Sequence, residues 1–415
     1  MQNARIIIGH KKIKTRVSLP ASKSLSNRLL IIRALCDEGF TIENLSDAGD
    51  TKILGQCLEN IYDYRVFDVQ DAGTALRFLT AVFAITHGNR LLTGTSRLLE
   101  RPVGPLVEAL NRLGAKIHYF DKKGFSPLVI NGSEIRGGKV SVDAGMSSQY
   151  ISALLLIAPA LPEGLEVSLK NAVASAPYVR MTLGLMNYFG VTTEWNEDII
   201  KIKPQKYKAK NYFVEADWSA AAFWYEIAAL AEEAEIELTG VNEHSLQGDA
   251  VIADVFSKLG VHTTVLHDSI KLTKCPVKSE FPEFDFFENP DMFPAVIATC
   301  AASGISCRFT GLQNLAIKES DRVTAMITEL ERFGYQFRRQ VDRSLMSENG
   351  NQLKTTQTVN CHSYNDHRIA MALSPLSLKG FTVNIDSASC VAKSYSSFFE
   401  DIKNAGFDTC FSENA

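Results

Sequence analysis

Hydrophobic and polar positions alternate along the chain in a pattern that comes round six times. Each copy runs from a loop of polar or small residues into an almost wholly apolar stretch. A β-like run, a second polar loop and an amphipathic stretch ending near a glycine follow. The apolar stretches are LLIIRALC, LTAVFAI, ALLLIAPAL, FWYEIAALA, AVIATCAA and IAMALSPL. Apolar residues all round a helix predict burial, whereas VEALNRLG, VFSKLG and MITELERFG carry one apolar face and are predicted to lie outside. Successive copies open about 70–75 residues apart, except that the second follows the first after roughly 50. The first copy is therefore abridged. Six α+β units of this size predict two domains of three units each, and 415 residues are too many for one ordinary core. Equivalent loops of a repeated unit share a face, so function is expected there.

The sixth copy opens with HSYNDHRIAMALSPL, residues 362–376, which places Asp366, His367 and Arg368 at the mouth of an apolar helix. Taken alone this is a helix start with Asn365 or Asp366 as N-cap and solvated charges. Recurring at equivalent points of six copies, it takes on another meaning. Buried helices aim their positive dipole ends and open N–H groups at one region, and a helix N-terminus receives anions.

The charges in the loops agree with that direction. They include Lys23, Arg28, Arg77, Arg101, Lys318, Arg322, Arg368 and Lys393, accompanied by Ser24, Ser26, Thr74, Ser147, Ser148, Gln149, Ser175 and Asn314. Arginine forks match carboxylate and phosphate oxygens, and lysine acts as a compact point charge. The placed acids are Asp47, Asp50, Asp291, Glu319, Asp321 and Asp366. Singly, KESDR, SSQY and DAGTALR are ordinary helix starts. Jointly, a cluster of unneutralised cations repels itself unless anions visit it. The residues thus predict binding of small, multiply anionic molecules between two similar domains.

Composition narrows the picture further. Hydrophobic residues at 46% and charged residues at 22% are globular values, and a net charge of −4 argues against a nucleic-acid surface. The eight cysteines are scattered with no C-x-x-C pair, so nothing in them suggests a zinc site or a disulfide framework, and a reducing compartment is expected. MQNARIIIGHKKIKTRVSLP lacks the apolar core of a secretory signal, and ISALLLIAPALP is too short to span a bilayer. A soluble cytoplasmic protein with no membrane association is expected.

LPASKSLSNR, AGTALR, ERPVGPLVEAL, SSQYISALL, NPD, IKESDR, YNDHRIAMA and CVAKSYSSFF occur in this order along nearly the whole chain. In these motifs the chain resembles the 5-enolpyruvylshikimate-3-phosphate synthase family. The resemblance implies an α/β fold of two inside-out domains, each of three βαβαββ units, joined by a two-strand hinge. Residues 18–213 would form one domain, and 1–17 with 214–415 the other. It implies transfer of the enolpyruvyl group of phosphoenolpyruvate to the 5-hydroxyl of shikimate 3-phosphate, through a tetrahedral intermediate and with release of phosphate. No metal or other cofactor is implied, and the protein is expected to act as a monomer on these two small molecules.

Carried over residue by residue, the resemblance assigns shikimate 3-phosphate to Lys23, Ser24, Arg28, Ser147, Ser148, Gln149, Ser175, Tyr178, Asp291, Asn314 and Lys318. It assigns phosphoenolpyruvate to Lys23, Gly73, Thr74, Arg101, Gln149, Arg322, Arg368 and Lys393. Lys23, Asp291 and Glu319 would be catalytic, while His367 would orient its loop. Three positions depart from the family pattern: Asp71 replaces an asparagine, Phe78 a proline, and Trp218 a small residue. Asp71 is expected to weaken anion binding unless it pairs with a cation such as Arg101. Phe78 is expected to alter packing behind the helix presenting Gly73 and Thr74, and Trp218 to alter packing at the hinge. The rivals are a UDP-N-acetylglucosamine enolpyruvyl transferase of the same fold, an RNA-end cyclase, and a catalytically dead scaffold. TGTSRLLERP lacks the reactive cysteine of the first, the acidic balance disfavours the second, and intact Lys23, Asp291, Glu319 and Arg368 disfavour the third.

Overall fold

A computed structural model describes residues 2–241, 244–278, 281–348 and 357–413. The fold is mixed α/β, and the chain forms two compact units, Ser22–Val214 and Met1–Ala21 with Glu215–Ala415. Among the described residues, five four-stranded sheets and one two-stranded sheet are distributed between them.

In Ser22–Val214, one sheet takes the order Val66–Asp68, Gly88–Thr93, Leu128–Gly132, Lys116–Tyr119. The first pair is parallel and the rest antiparallel, because helices Gly73–Ile85 and Gly104–Arg112 follow the first two strands and a hairpin closes the copy. The third copy repeats this βαβαββ path with Gly138–Asp143, Leu165–Lys170, Ile199–Ile202 and Thr193–Asn196. The abridged first copy has only Ile42–Glu43, paired in parallel with Tyr212–Phe213 from the far end of the unit.

The other unit repeats the path three times, but two of its sheets are completed by the N-terminus. Lys12–Ser18 supplies the first strand of the fourth copy, parallel to Glu233–Thr239. Gln2–Ile8 supplies an inner strand of the sixth copy, antiparallel to Thr382–Ile385 and Phe407–Glu413. A ladder of complementary charge accompanies the first pairing: Lys12, Lys14 and Arg16 face Glu233, Glu235 and Glu237 across the exposed side. Such exposed pairs add little stability. They favour one register, since a slip of one residue would also turn Ile13 and Val17 out of the core.

The leading helix of each copy lies inside. Every residue of Trp218–Leu230, Phe293–Ala302 and His367–Leu373 is buried, as are nearly all of Gly73–Ile85 and Ser148–Ile157. Lys23–Leu35 is buried from Leu25 to Ile32. The second helices bury one stripe, for example Ile252 and Phe256 of Ile252–Ser257. Helices that are apolar all round leave no face for water, so the sheets, with alternating burial, wrap them.

Strain collects in the strand-to-helix loops. Asn44, Gln70, Asn171, Ser175, Tyr364, Asn365 and Ser387 all take φ between 45° and 65°, and each lies in such a loop. Left-handed backbone at non-glycine residues costs on the order of 1–3 kcal/mol each and persists where surrounding structure dictates it.

Candidate active site

The helix mouths are built by N-caps. Ser22, Ser147, Asp217 and Asp366 each accept a backbone N–H from the first turn of a leading helix. Gly73–Ile85 has no side-chain cap. The guanidinium of Arg101 lies over this start instead: a Cβ on Gly73 would stand 2.5 Å from Arg101 Nη1, so any larger residue there would have to push the guanidinium aside. Arg77, expected among the loop cations, is a buried brace. It donates to Gly73 O at 3.0 Å and Pro102 O at 2.8 Å, and the Tyr150 hydroxyl donates to the same Pro102 carbonyl at 2.6 Å. These bonds fasten the Arg101–Pro102 segment to two helices. Beside them Gln149 Nε2 donates to Thr74 Oγ1 at 3.1 Å. An uncapped helix start under a fixed guanidinium is suited to an anion.

In the same unit Lys23 Nζ meets Asp50 Oδ2 at 3.1 Å, both largely buried. Arg28 is buried and donates to Thr182 Oγ1 (2.7 Å), Ser24 O (2.8 Å), Tyr178 O (3.2 Å) and Ser152 Oγ (3.3 Å). Burial pulls its pKa down to about 10. Its guanidinium lies 5.6 Å from the centre of the Phe78 ring, so the aromatic residue at this position supplies a face for a buried cation. Asp71 accepts a hydrogen bond from the Thr95 hydroxyl, which also caps the short helix Ser96–Leu99. Ser147, Ser148, Ser175 and Tyr178 stand at the openings of helices Ser148–Ile157 and Ala176–Tyr188, and Ser175 has φ of 55°.

The other unit carries a denser network. Asp291 receives Arg322 Nη1 at 2.8 Å, Arg368 Nη2 at 3.1 Å and Lys318 Nζ at 3.4 Å. Arg322 is 1% exposed. It also meets Glu319 Oε2 at 2.7 Å and Asp366 Oδ2 at 2.9 Å. Asp366 accepts in addition from the Ser320 hydroxyl at 2.9 Å and caps its own helix through Arg368 N. Lys393 Nζ donates to Asn365 O at 2.7 Å, and Asn314 opens the 3-10 turn Leu315–Ile317. Burial would push the Asp291 carboxyl up, but Arg368, Lys318 and Arg322 together hold it well below the usual carboxylate range.

The network corrects the premise of uncompensated cations. Lys318, Arg322 and Arg368 face Asp291, Glu319 and Asp366, three charges against three. Lys23 likewise faces Asp50. The site is preorganised by its own carboxylates, and an arriving anion competes with them.

Asp249, Ser219 and Asn289 went unrecognised in the sequence. Asp249 is 3% exposed, accepts the Ser219 hydroxyl, and accepts Asn289 Nδ2 at 3.0 Å just ahead of Asp291. A signal was present: QGD in the fourth copy stands where AGD, with Asp50, stands in the first. Among the described residues no group of three or more His, Cys, Asp or Glu could hold a metal ion, and no helix is long and apolar enough to cross a membrane.

The fold is shared with solved structures. It matches an EPSP synthase structure from Acinetobacter baumannii with a TM-score of 0.79, at 22% identity and over 100% of both chains. It also matches the enolpyruvyl transferase NikO from Streptomyces tendae with a TM-score of 0.74, at 15% identity and over 100% and 99% of the two chains. The family is defined by sequence. The family model for EPSP synthase (3-phosphoshikimate 1-carboxyvinyltransferase) matches residues 7–64 and 60–402. A 3-phosphoshikimate 1-carboxyvinyltransferase of Bacteroides fragilis is 43% identical over 397 residues, covering 95% of this chain and 96% of the relative. One from Mannheimia haemolytica is 33% identical over 425 residues, covering 94% and 96%. This chain belongs to the EPSP synthase family.

Proposed function

We infer that the protein transfers the enolpyruvyl group of phosphoenolpyruvate to the 5-hydroxyl of shikimate 3-phosphate, releasing phosphate. The observation that carries this reading is family membership along nearly the whole chain, together with an Arg101-covered helix start at Gly73 and a charge-balanced acid cluster at Asp291. It is a transferase of aromatic amino acid biosynthesis, working in the cytoplasm as a monomer on two small anions.

In the first step the 5-hydroxyl oxygen bonds to C2 of phosphoenolpyruvate, the hydroxyl proton leaves, and C3 gains a proton. In the second step the ketal loses phosphate from C2 and a proton from C3, which restores the double bond. We assign Asp291 to accept the hydroxyl proton, and Glu319 and Lys23 to deliver the C3 proton and assist phosphate departure. The cations around Asp291 make it a weak base in the substrate-free protein. Substrate anions that draw charge from Lys318, Arg322 and Arg368 raise its proton affinity at the moment it is needed.

The other assignments follow the two sets of groups. Ser24, Arg28, Ser147, Ser148, Gln149, Ser175, Tyr178, Asn314 and Lys318 bind shikimate 3-phosphate, with Arg28 acting from within its four hydrogen bonds. Gly73, Thr74, Arg101, Arg322, Arg368 and Lys393 bind phosphoenolpyruvate. Arg322 acts from a buried position among three carboxylates.

Purified protein incubated with both substrates should release phosphate in proportion to shikimate 3-phosphate consumed. Turnover with UDP-N-acetylglucosamine and none with shikimate 3-phosphate would overturn the reading.

A further inference from the structure

We propose that Asp249 is a positioning residue for Asp291, anchoring the turn that carries it and opposing the three cations that surround it. The proposal rests on the enolpyruvyl-transfer reading for its catalytic consequence, though not for its structural part.

Asp249 lies in the turn Gly248–Val251 that opens the second helix of the fourth copy. It is not at the surface of the candidate site: it is 3% exposed. One carboxylate oxygen accepts the Ser219 hydroxyl from the leading helix of its own copy. The other accepts Asn289 Nδ2 at 3.0 Å. Asn289 is itself buried and is the N-cap of Pro290–Met292, the single turn on which Asp291 sits. Asp249 therefore ties the leading helix of the fourth copy to the leading turn of the fifth. Burying a carboxylate costs desolvation free energy that an amide or apolar residue would avoid. Its charge calls for a reason.

The reason lies in what faces it. Asp249 is within electrostatic reach of Asp291 and Arg368; burial and Asp291 raise its proton affinity, while Arg368, Ser219 and Asn289 lower it. Asp291 is faced by Arg368, Lys318 and Arg322 as well as by Asp249. An ionised Asp249 offsets part of the cationic field and so moves Asp291 toward useful basicity. The first copy shows the same device in another form: Asp50, at the equivalent turn, holds Lys23 at the mouth of its leading helix.

The test compares wild type, Asp249→Asn, Asp249→Ala and Ser219→Ala in the full chain. Hydrogen exchange of the segment 286–293 reads the anchor without any turnover. Asp249→Ala is expected to speed exchange there by about tenfold or more. In Asp249→Asn, kcat is expected to fall between about tenfold and a hundredfold, with KM for both substrates changed less than kcat. The acid limb of its kcat profile should move to lower pH, because removing a negative neighbour favours the ionised form of Asp291. Ser219→Ala keeps the charge, so its acid limb should stay in place while kcat falls less; it serves if Asp249→Ala does not fold. Unchanged exchange in the 286–293 segment, or an acid limb that stays put in Asp249→Asn, overturns the proposal. A wild-type protein with no phosphate release would instead sink the enolpyruvyl-transfer reading, and the exchange result would still decide the anchor.

Discussion

The two units place charge at their helix mouths in different ways. In Ser22–Val214 Arg28 is held by hydroxyls and carbonyls and Arg77 by carbonyls, while Lys23 meets Asp50. In the unit containing Glu215–Ala415, Lys318, Arg322 and Arg368 are matched by Asp291, Glu319 and Asp366. Cations held by neutral acceptors, hydroxyls and carbonyls, keep their full positive field, which suits holding phosphate and carboxylate. Cations matched by carboxylates create acids of depressed proton affinity whose state an incoming anion can change, which suits proton transfer. One architecture, repeated six times, thus supports two tasks through the identity of a few residues at equivalent loops.

The sharpest way to break this comparison is Asp291→Asn. It keeps the side chain's size, turns one acceptor into a donor facing a cation and removes the base, so kcat should fall by about 10²–10⁴-fold, as measured by single-turnover quench. Stability separates the units next. Arg322→Ala removes a buried cation shared by Asp291, Glu319 and Asp366 and should cost about 3–5 kcal/mol, read from urea unfolding.

Glu226 sharpens the same contrast from outside the site. It is 0% exposed on the all-buried helix Trp218–Leu230, and neither carboxyl oxygen has a hydrogen-bond partner among the described residues. Burial raises its pKa well above the usual carboxylate range. The native state then keeps a proton that the unfolded chain gives up above pH ~4.3, so this group lowers stability as pH rises from there. Glu226→Gln should therefore stabilise the protein by roughly 1–3 kcal/mol at neutral pH and by less near pH 4.5, in melting curves at the two pH values. A modest effect belongs to Phe78→Leu, which removes the ring facing buried Arg28 and should cost about 2 kcal/mol.

Much of this architecture was legible in the pattern of apolar residues. Helices apolar all round, such as FWYEIAALA and IAMALSPL, lie inside, and those with one stripe lie outside. Asp366 caps its helix as its place before an apolar run suggested. The shortened first copy appears as a two-stranded sheet. The sheet partners of the N-terminus were not legible from local pattern, because Gln2–Ile8 and Lys12–Ser18 pair with strands more than 200 residues away. The charge ladder of KIKTR against EAEIE was a usable signal for one of these pairings.

At the site, KESDR reads alone as a solvated helix start, and its Asp321 does cap the helix through Thr324 N. Arg322 next to it is nevertheless buried, since only the fold brings Asp291 and Asp366 to its guanidinium. Local sequence reveals caps. Compensation of charge also needs partners distant in the chain, such as Asp50 for Lys23 and Asp366 for Arg322.

The division of labour is tested most directly by comparing Arg101→Ala with Asp291→Asn. Binding of shikimate 3-phosphate, and of phosphoenolpyruvate in its presence, would be followed by calorimetry alongside phosphate release. Arg101→Ala should weaken phosphoenolpyruvate by about tenfold or more while leaving shikimate 3-phosphate nearly unchanged. Asp291→Asn should bind both substrates and release almost no phosphate. Equal loss of both substrates in both variants would contradict the account.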